Sequence, residues 1–235
     1  MLSLGLLGCA REPAIEYGEA LFSDPSFSGA ATNVFSCATC HTRITDAGAI
    51  RPGYNLVNAT RRPSYWGGFV GTLFDATSSC VGSVGFMRGN GLSETSEQSR
   101  ALFLYLASLD DGAPAPALPL TVVTDIADLP SGDVARGTAV YKGVCADCHG
   151  DAGTGAGRLS TKQSIVPTDT INGHIVLNTG MEAKPRIVVI EKIRHGKYFM
   201  ICGDMPLLSR EALSDVQVGD LLAYFETFGL AGFGQ

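Results

Sequence analysis

The sequence predicts a helical protein in which one arrangement of helices is used twice, and three repeated features support this fold class. The tetrapeptides Cys37–Cys40 and Cys145–Cys148 each place two cysteines one helical turn apart. A glycine followed four positions later by an aromatic residue precedes each of them, in the segments Gly18–Phe22 and Gly137–Tyr141. Each half then ends in an amphipathic segment with an internal tyrosine. Because these features recur in the same order, we expect two similar helical halves.

The first helix of each half carries the glycine, and the last helix of that half is expected to cross it there. A residue without a side chain lets another backbone come close. In the first half we expect Ser93 to cap this closing helix ahead of the apolar run at 101–106. In the second half we expect Ser214 to begin a helix that reaches Phe228.

A proline-rich stretch separates the two halves. Residues 113–119 read Ala-Pro-Ala-Pro-Ala-Leu-Pro, and proline fixes φ and lacks the N–H that a helix or a central strand needs. The stretch therefore predicts a semi-rigid linker. The expected division is a leader at 1–15, a first domain at 16–110, a linker at 111–131 and a second domain at 132–235.

Composition excludes some classes of function. The chain has 235 residues, of which 45% are hydrophobic and 17% charged, so each half can bury a core. The net charge of −6 supplies no basic stripe for nucleic acid. A mildly acidic surface instead suits brief docking to a positively charged protein. No run of about 18 apolar residues is present, so we expect no helix that spans a bilayer.

The repeated tetrapeptides carry the chemistry, because a histidine directly follows each of them. The spacing CxxCH is typical of c-type haem attachment, in which two thiols bond the haem vinyl groups and the histidine ligates iron. A zinc site would use four thiolates, or histidines at zinc-finger spacing. We therefore expect two covalently bound haem c groups. The expected attachment residues are Cys37, Cys40, Cys145 and Cys148, and the expected iron ligands are His41 and His149.

A low-spin electron carrier needs a second strong ligand on each iron. For the second haem we expect Met205, because Pro206 stiffens the loop that presents its sulfur. Ligation by His174 or His195 would instead give a bis-histidine iron, and Cys202 is a further sulfur candidate. The remaining candidates, Met181 and Met200, are better explained as core residues.

The first haem has fewer candidates, because residues 1–110 contain no lysine and no histidine except His41. Met87 and Cys80 are the two sulfur ligands available outside the leader and the CxxCH motif. We favour Met87, with Cys80 as the alternative and an open iron as the third possibility. A disulfide between Cys80 and Cys202 would remove Cys80 from consideration, since one sulfur cannot serve both roles.

Further residues are expected to support the haems. A histidine ligand normally donates its free ring N–H to a carbonyl. We expect Pro52 to accept from His41 and Pro167 to accept from His149. For the propionates of the first haem the candidates are Arg61, Arg62 and Trp66.

The N-terminus resembles a bacterial lipobox in the run Leu4–Cys9, where a short apolar segment ends in a cysteine. This resemblance implies that Cys9 carries lipid and anchors the protein to a membrane. Covalent haem attachment also takes place outside the cytoplasm. We therefore expect an extracytoplasmic location, in the periplasm or at the cell surface.

Both halves resemble class I cytochrome c domains, which are small all-α folds wrapped around one haem. In the second half the run Cys145–Gly157 is similar to the family pattern CHGxxGxGxG, and Asp204-Met205-Pro206 is similar to its ligand loop. The resemblance covers residues 16–235. It implies an all-α protein with two tandem cytochrome c domains joined by the proline-rich linker.

The first half also resembles parts of two enzyme families. The run Tyr17–Pro25 resembles the start of a di-haem peroxidase domain. The run Cys80–Leu109 resembles thiosulfate dehydrogenases and related sulfur-oxidising cytochromes, which implies that Cys80 ligates the first iron.

Two functions of different classes follow from these expectations. If both irons have two protein ligands, the protein passes electrons between redox proteins such as a membrane oxidoreductase complex, a photosynthetic centre or another cytochrome. If Cys80 is the ligand or the first iron is open, the first haem is the active site of a thiosulfate dehydrogenase or a peroxidase, and the second relays electrons. We favour the electron carrier over the enzyme. A structural subunit that conducts through a larger assembly is a third possibility.

Overall fold

The computed structural model describes residues 13–43, 50–82, 85–169, 185–196 and 205–229. Within these ranges every regular element is a helix, and strand-like pairing is limited to an isolated bridge between Tyr65 and Val70. The predicted all-α class is confirmed. In the described part of the chain, no helix has the length and apolar character needed to cross a membrane.

The α-helices in the described ranges are numbered in chain order. They are α1 Pro13–Ser23, α2 Cys37–Cys40, α3 Leu73–Val81, α4 Glu97–Ser108, α5 Val134–Val140, α6 Ala146–His149, α7 Pro185–His195 and α8 Asp215–Glu226. Short 3-10 helices span Pro25–Ser28, Ala59–Arg61 and Trp66–Gly68, and a π-helical turn at Tyr141–Cys145 joins α5 to α6.

In the first half, α1 and α4 cross at a glycine. A Cβ atom built on Gly18 would overlap the carbonyl oxygen of Ala101, so the two backbones touch there. One turn further along α1, the ring of Phe22 packs on the ring of Tyr105, with 5.5 Å between their centroids. Both rings are buried. The predicted crossing is therefore present in this half.

The second half repeats the crossing with α5 and α8. A Cβ on Gly137 would overlap the carbonyl oxygen of Asp220. The rings of Tyr141 and Tyr224 pack with 5.6 Å between centroids, so the aromatic pair occupies the equivalent place. The division into two domains remains a prediction, but the two crossings use the same residue types at the same spacing.

The predicted helix ends are partly right. Helix α8 begins after Ser214, whose hydroxyl accepts from the N–H of Gln217, as expected, and it ends at Glu226 rather than Phe228. Helix α4 is capped by Ser96 and not by Ser93, so that prediction was wrong. The N–H of Ser96 donates to the carbonyl of Ser93 in a separate turn, and Ser96 then caps the helix proper.

The linker has no regular secondary structure, as expected, but it packs against both halves. The hydroxyl of Tyr54 donates to the carbonyl of Pro119, and the N–H of Thr121 donates to a carboxylate oxygen of Glu211 at 2.8 Å. Val123 is buried. The segment is therefore held along its length, a property that its proline content did not predict.

Candidate haem-binding site

The first CxxCH motif lies on the short helix α2. The N–H of Ser36, the residue before the helix, donates to the hydroxyl of Thr39 at 3.1 Å. The N–H of His41 donates to the carbonyl of Cys37 at 3.0 Å, which closes the turn. One helical turn therefore sets Cys37, Cys40 and His41 relative to one another, and all three line the same cavity.

The second motif follows α5 without a break. The helix passes through the π-helical turn into α6, which ends at His149. The hydroxyl of Tyr141 donates to the carbonyl of Gly150 at 2.9 Å and ties the end of α6 back to the helical turn before it. Cys145, Cys148 and His149 again line the cavity.

Each histidine is oriented by a backbone carbonyl, although not by the one that we predicted. The Nδ1 atom of His41 lies 2.7 Å from the carbonyl oxygen of Tyr54, and that of His149 lies 2.8 Å from the carbonyl oxygen of Ser164. The expected acceptors, Pro52 and Pro167, were wrong. The carbonyl that faces His41 belongs to the residue two positions after Pro52, and the one that faces His149 belongs to the residue three positions before Pro167. With Nδ1–H donated, Nε2 keeps its lone pair for a metal.

Burial favours this neutral form of both rings. Desolvation lowers the pKa of His41 and of His149, and the nearby cations Arg62 and Lys192 lower them further. A neutral imidazole with Nδ1 donated is the form that binds iron through Nε2.

Met87 and Cys80 both line the cavity beside the first motif. The N–H of Met87 donates to the carbonyl of Cys80 at 3.1 Å, and the N–H of Gly89 donates to the carbonyl of Val81 at 2.8 Å. These bonds fold the segment after α3 back onto the end of that helix. Cys80 forms no disulfide with another described cysteine, and Cys202 lies outside the described residues, so the alternative of a disulfide between them stays open.

Met205 lines the cavity beside the second motif. The segment that follows it is held by Arg194, whose guanidinium donates to the carbonyls of Leu208, Ser209 and Leu213 at 3.1, 3.3 and 2.6 Å. The side chain of Arg194 is 1% exposed and also pairs with Asp215 at the start of α8. The sequence pattern did not predict this role for Arg194.

The alternative that His195 ligates the second iron is wrong. This histidine has both ring nitrogens engaged, Nδ1 with Glu191 at 2.7 Å and Nε2 with the carbonyl of Val123 at 2.6 Å. It therefore faces the linker and is not available to iron. The candidates His174, Met181, Met200 and Cys202 lie outside the described residues, as does Cys9.

The candidates for propionate binding divide into two groups. Arg62 and Trp66 line the cavity, whereas Arg61 points outward and pairs with Asp110 at 2.7 Å. Lys192 on α7 lines the cavity as well, and desolvation lowers the pKa of its ammonium. Lys192 was not predicted from the sequence, because its position beside His149 depends on how α7 packs into the core of the second half.

The two sets of site residues line one continuous cavity. Its wall is mostly apolar and comes from both halves and from Leu118 and Leu120 of the linker. Burial against this apolar space removes the thiols from water and raises their pKa, to about 12 for Cys40 and Cys145 and to about 11 for Cys80. The cavity offers thiol pairs, neutral imidazoles and thioethers around apolar walls, which fits the needs of covalently attached haem.

Comparison with known families decides the class of the second half. Residues 132–225 match the family model described as cytochrome c oxidase, cbb3-type, subunit III. Residues 132–225 are a c-type cytochrome domain. The match includes Cys145, Cys148, His149 and Met205. No curated protein matches the chain.

This cytochrome c domain gives the protein a haem-based role in electron transfer, with covalently bound haem c. Redox proteins are the partners that such domains serve, and cytochrome c domains are typically extracytoplasmic. The first half lies outside the matched range, so its function depends on its own geometry.

Proposed function

We propose that the protein is a di-haem c-type cytochrome that transfers electrons between extracytoplasmic redox partners. The observation that carries the proposal is the repetition of the site. Each CxxCH motif lines the cavity together with a methionine and with a cation beside the histidine. The haem c of the matched domain supplies one-electron chemistry when bound, and the repeated geometry supports a second haem in the first half.

In this proposal the residues that line the cavity take the following roles. Cys37 and Cys40 attach the first haem, and Cys145 and Cys148 attach the second. His41 and His149 would hold the irons through Nε2, with Met205 as the second ligand at the second iron and Met87 as the second ligand at the first. Arg62 and Lys192 neutralise propionates near the two histidines.

We further propose that the chain works at the outer side of a membrane, with Cys9 as the lipid anchor. An anchor would hold the protein near membrane-bound partners and raise the effective concentration for each encounter. The net charge of −6 supports docking to a positively charged partner.

The decisive test is the haem count of the purified protein. Mass spectrometry under denaturing conditions should find the chain with two covalently attached porphyrins. The double variant Cys37→Ser/Cys40→Ser should retain one. A wild-type protein with a single porphyrin would disprove the di-haem proposal while leaving the second domain as described.

An enzyme of the thiosulfate dehydrogenase type is the second candidate, because Cys80 also lines the cavity and lies close enough to affect the pKa of Cys37 and Cys40. Near-infrared magnetic circular dichroism of the ferric protein separates the two candidates. If the protein is an electron carrier, both irons should show methionine signatures. One signature should be lost in Met87→Leu, and both should be kept in Cys80→Ser. A thiolate band that disappears in Cys80→Ser, together with thiosulfate-dependent reduction at catalytic speed, would establish the enzyme instead.

A further inference from the structure

The two attachment motifs come together at one place in the cavity. Phe35, Val81 and Met87 form a buried cluster in the first half, and Cys148 of the second motif packs against it. A residue proposed to attach the second haem thus packs against the cluster that contains the residue proposed to ligate the first iron.

The cysteines themselves are also neighbours. Cys40 and Cys148 both line the shared cavity, and Cys148 adds to the burial that raises the pKa of the Cys40 thiol to about 12. Cys40 and Cys148 are the second cysteines of the two motifs, so each marks the same edge of its haem site. Equivalent parts of the two motifs therefore adjoin in the cavity.

Two contacts hold the halves in this position. Arg51 of the first half forms an ion pair with Asp147, which lies between the two cysteines of the second motif. On the π-helical turn, a Cβ atom on Gly143 would lie 2.7 Å from the carbonyl oxygen of Ile50. The backbone before the second motif therefore packs directly on the first half.

We infer that the two haem sites meet edge to edge at Cys40 and Cys148, so that an electron passes between them directly and the pair behaves as one redox unit. This inference rests on the proposed presence of two haems. The step moves one electron from a ferrous to a ferric centre, so that the first is oxidised and the second reduced. No bond is formed or broken, and no proton or outside reactant is needed.

The position of the shared edge decides how strongly the sites influence each other. Electron tunnelling slows steeply with distance, and adjacent edges keep that distance short. Apolar walls also screen charge poorly. The charge gained when one site is reduced should therefore make reduction of the second site harder.

Circular dichroism in the Soret region of the intact oxidised protein tests this inference. Two haems in contact should give a two-signed couplet that the summed spectra of the variants Cys37→Ser/Cys40→Ser and Cys145→Ser/Cys148→Ser do not reproduce. Additive spectra from a protein that carries two porphyrins would overturn the inference alone. A single porphyrin in the wild type would instead overturn the di-haem proposal.

Electron paramagnetic resonance tests the wild type without those variants. The ferric signals should be broadened by spin interaction when both sites are oxidised, and should narrow when one electron equivalent is added. Unchanged line widths would contradict adjacent sites.

The role of the ion pair can be tested against a matched control. Arg51→Ala should weaken the couplet, because it frees Asp147 from the first half. Arg61→Ala removes another exposed ion pair of the first half, the one with Asp110, and should leave the couplet unchanged. Equal spectra for the two variants would contradict the assignment of Arg51 as a residue that positions the shared edge.

Discussion

At the scale of single residues, the ring of His41 is fixed from two sides. Its Nδ1 forms a hydrogen bond with the carbonyl of Tyr54, and Gly53 lies in close contact with the ring. A Cβ atom on Gly53 would come within 2.5 Å of Cε1 of His41. The glycine is therefore needed for its lack of a side chain and not for an unusual backbone conformation.

We expect Gly53→Ala to displace the His41 ring and to destabilise the fold by about 2 kcal/mol, as overpacking does in protein cores generally. The ligand-field spectrum of the first iron should change, while the signals of the second stay the same. Gly71→Ala is the matched control, because nothing lies within 4 Å of a Cβ at Gly71. A wild-type spectrum for Gly53→Ala would show that the ring tolerates the contact.

Arg194 is the second residue whose loss should have a large effect. We expect Arg194→Met to lower the free energy of unfolding by about 3 kcal/mol, because three carbonyls lose their donor. The methionine signature of the second iron should weaken, since the segment after Met205 loses its support. Arg210 pairs with the same Asp215 from the surface at 3.1 Å, and Arg210→Ala should cost less than about 1 kcal/mol. Similar losses for both variants in urea titrations would contradict this assignment.

At the scale of elements, the α5–α8 crossing includes a carboxylate as well as the glycine. Asp220 is 2% exposed and accepts from the guanidinium of Arg136 at 2.8 and 2.9 Å and from the N–H of Asp133 at 2.7 Å. The hydrogen bonds from Arg136 are the main cause of its lowered pKa. The crossing therefore depends on Asp220 being ionised.

Because the pKa of Asp220 is lower in the folded state, its contribution is present above about pH 4, the unfolded value, and is lost as the pH falls below it. We expect Asp220→Asn to lower the free energy of unfolding by about 2 kcal/mol at pH 7. In this variant the free energy of unfolding should also fall less steeply as the pH decreases. Urea unfolding between pH 7 and pH 3 measures both effects. A variant with the wild-type slope would show that different carboxylates control the acid sensitivity.

At the scale of the whole molecule, the linker forms part of the cavity wall. Leu118 and Leu120 face the cavity, and Glu211 holds the next residue of the chain, Thr121, through its N–H and its hydroxyl. These hydrogen bonds lower the pKa of Glu211 to about 2. The carboxylate is therefore ionised at neutral pH.

We expect Glu211→Ala to release the linker and to increase the rate at which proteases cleave within residues 111–131. Limited proteolysis followed by mass spectrometry gives this rate. Asp125→Ala changes an exposed carboxylate of the same segment and should leave the rate unchanged. Equal rates in the two variants would mean that Glu211 does not hold the linker.

Local features of the site could be predicted from the sequence, and features that depend on packing could not. The spacing within Cys37–His41 follows from one helical turn, and Gly137 indicated a crossing because a glycine within a helix leaves room for a second backbone. The carbonyls of Tyr54 and Ser164 depend on the direction in which a loop turns, and no residue pattern encodes that. The shared cavity depends on the docking of two halves that are far apart in sequence.

The wall around the two motifs has a consequence for biogenesis. Its pieces come from early, middle and late parts of the chain, so the final enclosure can form only after Phe225 has been synthesised. The enzymes that join porphyrin to cysteine need an accessible thiol and room for a flat macrocycle. For the two haems that we propose, we therefore expect attachment to take place on a still open chain, and compaction to follow it.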